Sequence, residues 1–563
     1  MKKKIFSLLL VFAGISIIHS CTKLKEQVLD ESSVTGLTEQ QIAEGNIAPV
    51  YALLPTLYQH TNLFALQEIS TDEAILPYRG GTDWGDNGIY LSLHRHETLS
   101  SDPNVNNTWS QIVQSISRSV TAINALATNN YVDAKTFLAE ARAMRAYYNM
   151  MALDLFGITF KKEDPDGTSE ILRGDDAINY IKSELLAVEP LLNNTTGPGR
   201  MTKAGVWGLL AKLYLNAAVW RDPYAASFTF KQDEMDKVIE YCDKIISLNQ
   251  FQLASEYFSI FNNDNHSNRE LIFAIDQRQD LNGHNRMAYF SLSGDQYPLA
   301  AAPTANGTDG PAITPDFYQS WKTAYAPTDP ADADPRFYKK NLIIPVDSCI
   351  SGSVYKIDRG ILRGQQYGIF TPKNGDPFAT CTGGYKIVKL HNYSRGKPNL
   401  PVDFTEDIDF TVAGSNYSTG YRVEKYEFTS ISSTNGRTRG EHDIVILRLA
   451  DIYLMRAEAK LRKNNDAAAA LTDVNTVRAS RTARGTPPPA LLSMTLDLLF
   501  RERGFELYWE HQRRTDMIRF GKYEGTWKEK SNTDKNKRIF PIPITAINGA
   551  SNIPGYLVQN PGY

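Results

Sequence analysis

The sequence is short of net charge, of cysteine and of long hydrophobic runs, and each shortage excludes a class of protein. Sixty Lys and Arg stand against 63 Asp and Glu, a formal net charge of -3 over 563 residues; nothing in that balance draws the chain to nucleic acid. Beyond the first residues no apolar run is long enough for a membrane-spanning helix. There is no H-E-x-x-H, no nucleophile elbow, no phosphate-binding G-x-x-x-x-G-K-[ST], no D-x-[DN]-x-[DN]-G calcium loop and no metal-spaced Cys/His cluster, and the nine His are scattered. Those absences remove the common metalloprotease, hydrolase and nucleotide-binding signatures. Of the four cysteines, Cys21 belongs to the leader discussed next and Cys242 lies on the apolar side of a helical pattern. Cys349 and Cys381 remain, and the sequence leaves open whether they pair.

What is present begins with a targeting segment. Lys2 to Lys4 form a positive start, Ile5 to Ile18 an apolar stretch, and Ile18-His19-Ser20-Cys21 reads as a lipobox, with His19 an unusual occupant. This predicts a signal peptide over 1–20, lipid attachment at Cys21 and a polar tether over 21–36. A conventional signal peptide cleaved nearby is the alternative. Acyl chains such as palmitate contribute about 0.8 kcal/mol per buried CH₂, so several chains make a lasting anchor. Downstream, 42% hydrophobic and 22% charged residues describe a large globular body, and 11% aromatics with 29 Tyr supply stacking surfaces besides a core.

The stretch from Lys135 to Gly157 organises the rest. Phe137, Ala141, Met144, Tyr148, Met151 and Leu155 alternate at steps of four and three, one stripe of a helix that Gly157 stops. Ala139, Ala143 and Ala146 keep a neighbouring face small for close helix packing. Glu140, Arg142 and Arg145 read as a solvated face, with ion pairing the alternative. Further helices are expected over Thr38 to Gln59, Asn107 to Ala127, Asp175 to Leu192, Thr202 to Trp220 and Asp233 to Leu248, and again at 450–461, 467–483 and 495–520. The fold class is therefore mainly α: irregular tetratricopeptide-like helix pairs forming a scaffold, with a large loop-rich insertion containing short strands. We divide it as 37–248 N-terminal scaffold, 249–441 irregular insertion and 442–563 C-terminal helical region. Strand-like apolar runs in the insertion are Glu270 to Ile275 and Gly384 to Leu390.

Chemistry concentrates in the Gly-rich loop 71–90. Arg79, Asp83, Trp84 and Asn87 place an aromatic face beside planar polar groups within nine residues, the combination that sugar recognition uses. The other assignment is a Trp that plugs the loop onto the helical core, with Arg79 paired to Asp83. In the insertion, Tyr297 between Gly294 and Pro298 is the first candidate to extend the platform, ahead of Phe290 and Trp321. Glu502, Glu506 and Glu510 fall along one helix and face the same way, whereas glycoside hydrolysis needs carboxylates facing each other across a cleft. Asp83 with Asp334 is the acid pair that a hydrolase reading would use.

Several of these stretches carry a resemblance. E-A-R-x-x-R-A-Y-Y ending in D-L-F-G, the D-P-R-F element at 334–337, R-E-R-G-F-E-L-Y-W-E-H-Q-R-R-T-D-M-I-R-F-G at 501–521, and the P-I-P and Q-N-P-G-Y tail together resemble the SusD/RagB family of outer-membrane nutrient-binding lipoproteins of Bacteroidetes. Arg514 stands where that family usually has an aromatic. The resemblance implies a non-enzymatic, cofactor-independent glycan receptor, with Arg79, Trp84 and Asn87 in the sugar site. It also implies a lipid anchor in the outer membrane facing outward and a TonB-dependent SusC-like transporter as partner. Thr22-Lys23-Leu24-Lys25 lacks an acidic export run, so outward exposure rests on the resemblance. A peptide-binding receptor of the RagB type is the alternative, and a glycoside hydrolase the more distant one.

Overall fold

The computed structural model describes residues 36–77, 88–278, 287–291, 310–352, 354–369, 380–392, 400–408, 419–428 and 440–563. Its helices are α1 (Glu39–Tyr51), α2 (Pro103–Ala127), α3 (Ala134–Phe156), α4 (Gly174–Val188), α5 (Lys203–Arg221), α6 (Gln232–Ser247), α7 (Pro315–Tyr325), α8 (Leu449–Asn464), α9 (Ala467–Ser480), α10 (Leu496–Leu507) and α11 (Arg513–Arg519), with shorter turns between. Local signals set their ends. Thr38 and Gln41 close a capping box on α1, Asp102 accepts from the amides of Asn104 and Val105 ahead of α2, and Gly157 takes φ 69° to stop α3. The single helix expected over Thr38 to Gln59 is two, because Pro55 opens a separate turn at Leu54–Leu57.

Successive helices pack as neighbours from α2 through α6, and α8 then packs against α6 and α9 against α8. The C-terminal helices thus continue the N-terminal array, and the insertion is spliced between two helices that touch. Close approach is built in at Gly208 of α5, where an added Cβ would lie 1.9 Å from Leu447 Cδ2. No helix among the described residues is long and apolar enough to cross a membrane.

Helix α3 lies at the centre, buried on nearly every face, including the whole predicted stripe. Its charged flank is not solvated. Arg145 is 2% exposed and donates to Glu184 (2.6 Å) and Glu163 (3.0 Å), Arg142 shares Glu184 (2.7 Å), and buried Glu140 accepts from Arg200 (2.7 Å) and Tyr51 (2.9 Å). The reason is that α4 packs on that side and brings Glu184, so the ion-pair alternative holds. The far end of α3 is tied to the chain terminus. Phe540 N donates to Leu155 O (2.8 Å), Asn560 Nδ2 to Phe156 O (3.0 Å), and buried Arg514 to Asp154 (2.9 Å), with its guanidinium 5.0 Å from the Phe540 ring. Arg514 therefore covers the aromatic Phe540 and reaches a carboxylate.

The one helix expected over 495–520 is broken. Trp509 and His511 adopt φ 59° and 60°, so α10 ends at Leu507 and α11 restarts at Arg513. Carboxylates from the N-terminal part hold the break: Glu73 accepts from Trp509 N (2.5 Å) and Glu68 from Gln512 N (2.9 Å). These bonds replace intrahelical ones, which is why helical periodicity in the sequence did not disclose it.

The insertion supplies most of the strands. We label β1 (Ala74–Ile75), β2 (Leu271–Ile275), β3 (Ala312–Ile313), β4 (Tyr338–Lys339), β5 (Cys349–Ile350), β6 (Arg359–Leu362), β7 (Tyr367–Ile369), β8 (Thr380–Cys381), β9 (Gly384–Lys389), β10 (Arg422–Glu424) and β11 (Ile444–Arg448). β2 pairs with β11, β6 lies between β10 and β4, and β9 carries β7, β8 and β5. Cys349 sits opposite Lys386 and Cys381 opposite Gly384, both on β9, and the two cysteines form a disulfide across a Cα separation of 6.1 Å. Cys242 is a buried free thiol.

Candidate functional site

Arg79, Asp83, Trp84 and Asn87 fall in 78–87 and Tyr297 in 292–309, both outside the described residues, as is Cys21 with the whole of 1–35. The frame that carries the two platform segments is described, and it brings their ends together. β1 and β3 form an antiparallel ladder with Ala74 opposite Ile313 and Ile75 opposite Ala312. Pro77, where the first segment leaves, and Gly310, where the second returns, each lie two residues beyond this ladder. Ile75 and Ala312 pack with Leu91 and Ile408 in a separate small apolar cluster. Leu91 follows the first segment and Ile408 precedes 409–418, so residues flanking three stretches outside the described residues meet in one apolar knot. Sequence reasoning found the first two and missed their juxtaposition, because a two-residue ladder between positions 74 and 313 has no local signal.

Beneath the knot the stem is bolted to the C-terminal helices. Arg513 donates to both oxygens of Asp72 (2.7 and 2.8 Å), Thr314 donates its hydroxyl to Asp72 O, and Glu73 holds Trp509 N. Glu68 and Glu73 are 0% and 1% exposed. Burial, partly offset by Arg513, pushes the Glu73 carboxyl up to about 7; burial and then repulsion from Glu73 carry Glu68 well above the carboxylate range. Asp72 adds a further negative neighbour, and Lys425 lies on the other side with its own ammonium lowered by burial to about 8.

A carboxyl whose folded pKa is raised keeps a proton that the unfolded chain has already released, so its contribution to stability falls as pH rises from about 4.5 toward 7. Glu73→Gln keeps an acceptor for Trp509 N and removes the titration. We expect its melting temperature to decline less between pH 5 and 7 than that of the wild type; equal slopes in the two proteins would contradict this.

Of the acids named for a hydrolase, Asp83 lies outside the described residues, and Asp334 is already engaged, as are Glu502, Glu506 and Glu510. Arg336 donates to Asp334 (2.6 Å), Glu502 (2.7 Å) and Glu506 (3.0 Å); Arg448 to Glu270, Glu506 and Glu510 (2.7 Å each); Arg478 to Glu502 (2.6 Å); and Arg481 to Glu270 (2.7 Å) and Glu506. All nine side chains are at most 3% exposed. Against the burial that opposes it, the arginines hold Glu506 well below its ordinary range. Asp334 also accepts from Tyr325 and has no route to solvent. Two aromatics considered for the platform are core: Trp321 stacks on Phe505 with centroids 3.8 Å apart, and Phe290 stacks on His60 at 4.5 Å.

A metal-capable group that the sequence did not disclose is His266, Asp276 and Asp443, whose ligand atoms lie within 4.8 Å of one another. The β2–β11 register, with Ile275 opposite Ile444, is what sets Asp276 beside Asp443. His266 Nδ1 lies 2.7 Å from Asp443 and 3.8 Å from Asp276, and the bond to Asp443 raises the imidazole pKa. One imidazole and two carboxylates suit zinc or a transition metal better than the all-oxygen preference of calcium or magnesium, and Arg278 already neutralises Asp276 (2.6 Å).

A family model described as the SusD family matches residues 256–563, and the chain belongs to that family. The starch-binding protein SusD of Bacteroides thetaiotaomicron is 26% identical over 459 residues, covering 77% of this chain and 75% of that protein. A SusD superfamily protein from Parabacteroides distasonis superposes with a TM-score of 0.65 at 18% identity, over 94% of this chain and 100% of that one. Surface glycan-binding protein A from Bacteroides thetaiotaomicron, solved in complex with laminarihexaose, superposes with a TM-score of 0.61 at 18% identity, over 93% and 98%.

Proposed function

We propose that this protein is a cell-surface glycan receptor: a lipoprotein anchored through Cys21 that captures oligosaccharide and delivers it to a SusC-like TonB-dependent transporter of the outer membrane. The observation that carries the reading is the β1–β3 ladder, which sets the end of the Trp84 loop beside the end of the Tyr297 segment. On this proposal Trp84 and Tyr297 offer rings to the C–H face of a pyranose, and Arg79, Asp83 and Asn87 offer planar groups to its hydroxyls. Support also comes from relatives whose names state starch, laminarin and laminarihexaose binding. Binding without turnover is favoured by the engagement of Asp334, Glu502, Glu506 and Glu510 in buried ion pairs. On this reading 1–20 is the signal peptide, 21–36 the tether, 37–248 and 442–563 the scaffold, and 249–441 the insertion that shapes the cleft.

Calorimetry of the soluble form beginning after Cys21 against a panel of plant, host and microbial glycans tests it, with Trp84→Ala in parallel. Loss of one stacking ring costs about 1–3 kcal/mol, or about 5- to 150-fold in affinity. Binding of one glycan class, weakened by that factor in a variant with unchanged melting, is the expected result. Silence toward every glycan with binding of peptides would replace the reading by the RagB-type one, and sustained glycan hydrolysis would replace it by an enzyme.

A further inference from the structure

The insertion holds a concavity away from the β1–β3 knot. Ile313 N of β3 donates to Tyr421 O (3.0 Å), and beyond that point the sheet runs β10, β6, β4. β4 is thus about three strand spacings, roughly 14 Å, from β3. On its far side a cavity of about 410 Å³ is bordered by Tyr338, Lys340, Asp358, Arg363, Gln365 and Tyr367 and by the run from Leu342 to Val346. That volume lies in the range of small-ligand sites, roughly 300–1,000 Å³.

The walls are held in place without a ligand. Asp358 accepts from the amides of Asn341 (2.7 Å) and Leu342 (2.8 Å) and from the Tyr338 hydroxyl, and so fixes the 341–346 turn. Arg363 is clamped by Asp329 (2.8 Å) and the Tyr318 hydroxyl (3.0 Å), with its guanidinium 5.0 Å from the Phe337 ring. Tyr367, at the start of β7, stays 39% exposed at the mouth, and Ile343 at 77% forms an apolar rim. An aromatic face, a fixed guanidinium, the Asp358 carboxylate and the Gln365 carboxamide, whose Nε2 is held by Gln366 O (2.8 Å) and Leu390 O (3.0 Å), border one cleft and match a sugar ring, whose C–H face stacks while its hydroxyls donate to planar acceptor groups. A protein partner would call for a flatter and more continuous apolar patch than this charged hollow offers.

We propose that this cavity is a second saccharide subsite, which takes one or two sugar units of a glycan longer than the Trp84 platform can engage. It rests on the glycan-receptor reading and adds a second contact to it. Two linked contacts on one chain raise affinity for long glycans more than for short ones.

The test uses the soluble protein after Cys21 with short and polymeric forms of starch, laminarin and xyloglucan, in the wild type, Trp84→Ala, Tyr367→Ala and the double variant. Val346→Trp, which fills the hollow from an exposed position, checks that any loss comes from occupancy of the cavity. The expected result is that Tyr367→Ala and Val346→Trp each weaken polymer binding about fivefold or more, leave the shortest oligosaccharide nearly unaffected, and remove the residual polymer binding of Trp84→Ala, all with unchanged melting. Polymer affinity that ignores both variants, or that Trp84→Ala alone abolishes, overturns the subsite while leaving the receptor reading intact. A wild type that binds no member of the panel overturns both.

Discussion

Arg448→Met is expected to destabilise the protein by about 3–5 kcal/mol, the range for removing one partner of a buried ion pair. Arg448 is fully enclosed and neutralises three carboxylates from two distant parts of the chain, Glu270 ahead of β2 and Glu506 and Glu510 around the helix break, while also donating to Glu506 O (2.7 Å). Methionine fills much of the volume but leaves those acids with fewer cations, and Arg481 and Lys425 replace only part of the lost charge. Chemical denaturation at pH 7 measures the loss. A second reading separates charge from packing: protonation relieves uncompensated carboxylates, so the deficit of the variant should shrink as pH falls from 7 toward 5. A deficit below about 1 kcal/mol would mean that the network contributes little net stability, as some buried networks do.

Asp154→Leu is expected to cost a comparable amount, about 3–5 kcal/mol, for the converse reason. Asp154 near the end of α3 accepts from Gln67 (2.8 Å), Trp220 (3.0 Å), Arg514 (2.9 Å) and Thr515 (3.1 Å). Leucine leaves a buried guanidinium without its carboxylate, and leaves the Trp220 indole and the Gln67 amide without an acceptor. Asp154→Asn keeps acceptor oxygen but not the charge, and should lose clearly less. Equal losses in the two variants would assign the effect to α3 packing instead of to Arg514. Arg514 alone is a milder target, since Asp154 would retain three donors.

The helical content was legible because burial follows the helical period wherever one face meets one neighbour. α2, α6 and α8 show it at Trp109, Ile112 and Ile116, at Val238, Tyr241 and Ile245, and at Leu454, Ala457 and Leu461. α3 was legible for its stripe and not for its surroundings: a helix packed on all sides buries Arg145 and Glu140 as well, and their partners Glu184 and Arg200 come from outside its own segment. The residue types of the candidate loop were readable in the sequence; the stem that leads into it was not. Asp72 and Glu73 open that loop, but their meaning depends on Arg513 and Trp509, more than 400 residues away in the chain.

The sequence by itself determined the elements and the inventory of chemistry: the helix stripes, their caps, the Gly-rich loop with its aromatic and planar polar groups, and the alternating acids and arginines near the C-terminus. Each of these is written in residues within a few turns of one another, where spacing alone fixes direction. Tertiary structure decided what those groups do. It turned one expected helix into two at Trp509 and His511, spent the C-terminal acids on buried arginines, and closed Cys349 to Cys381 across β9. It also set the end of one platform segment beside the end of the other through the two-residue ladder of β1 and β3. Charge compensation and strand pairing act between groups close in space and far apart in sequence, so no local pattern records them.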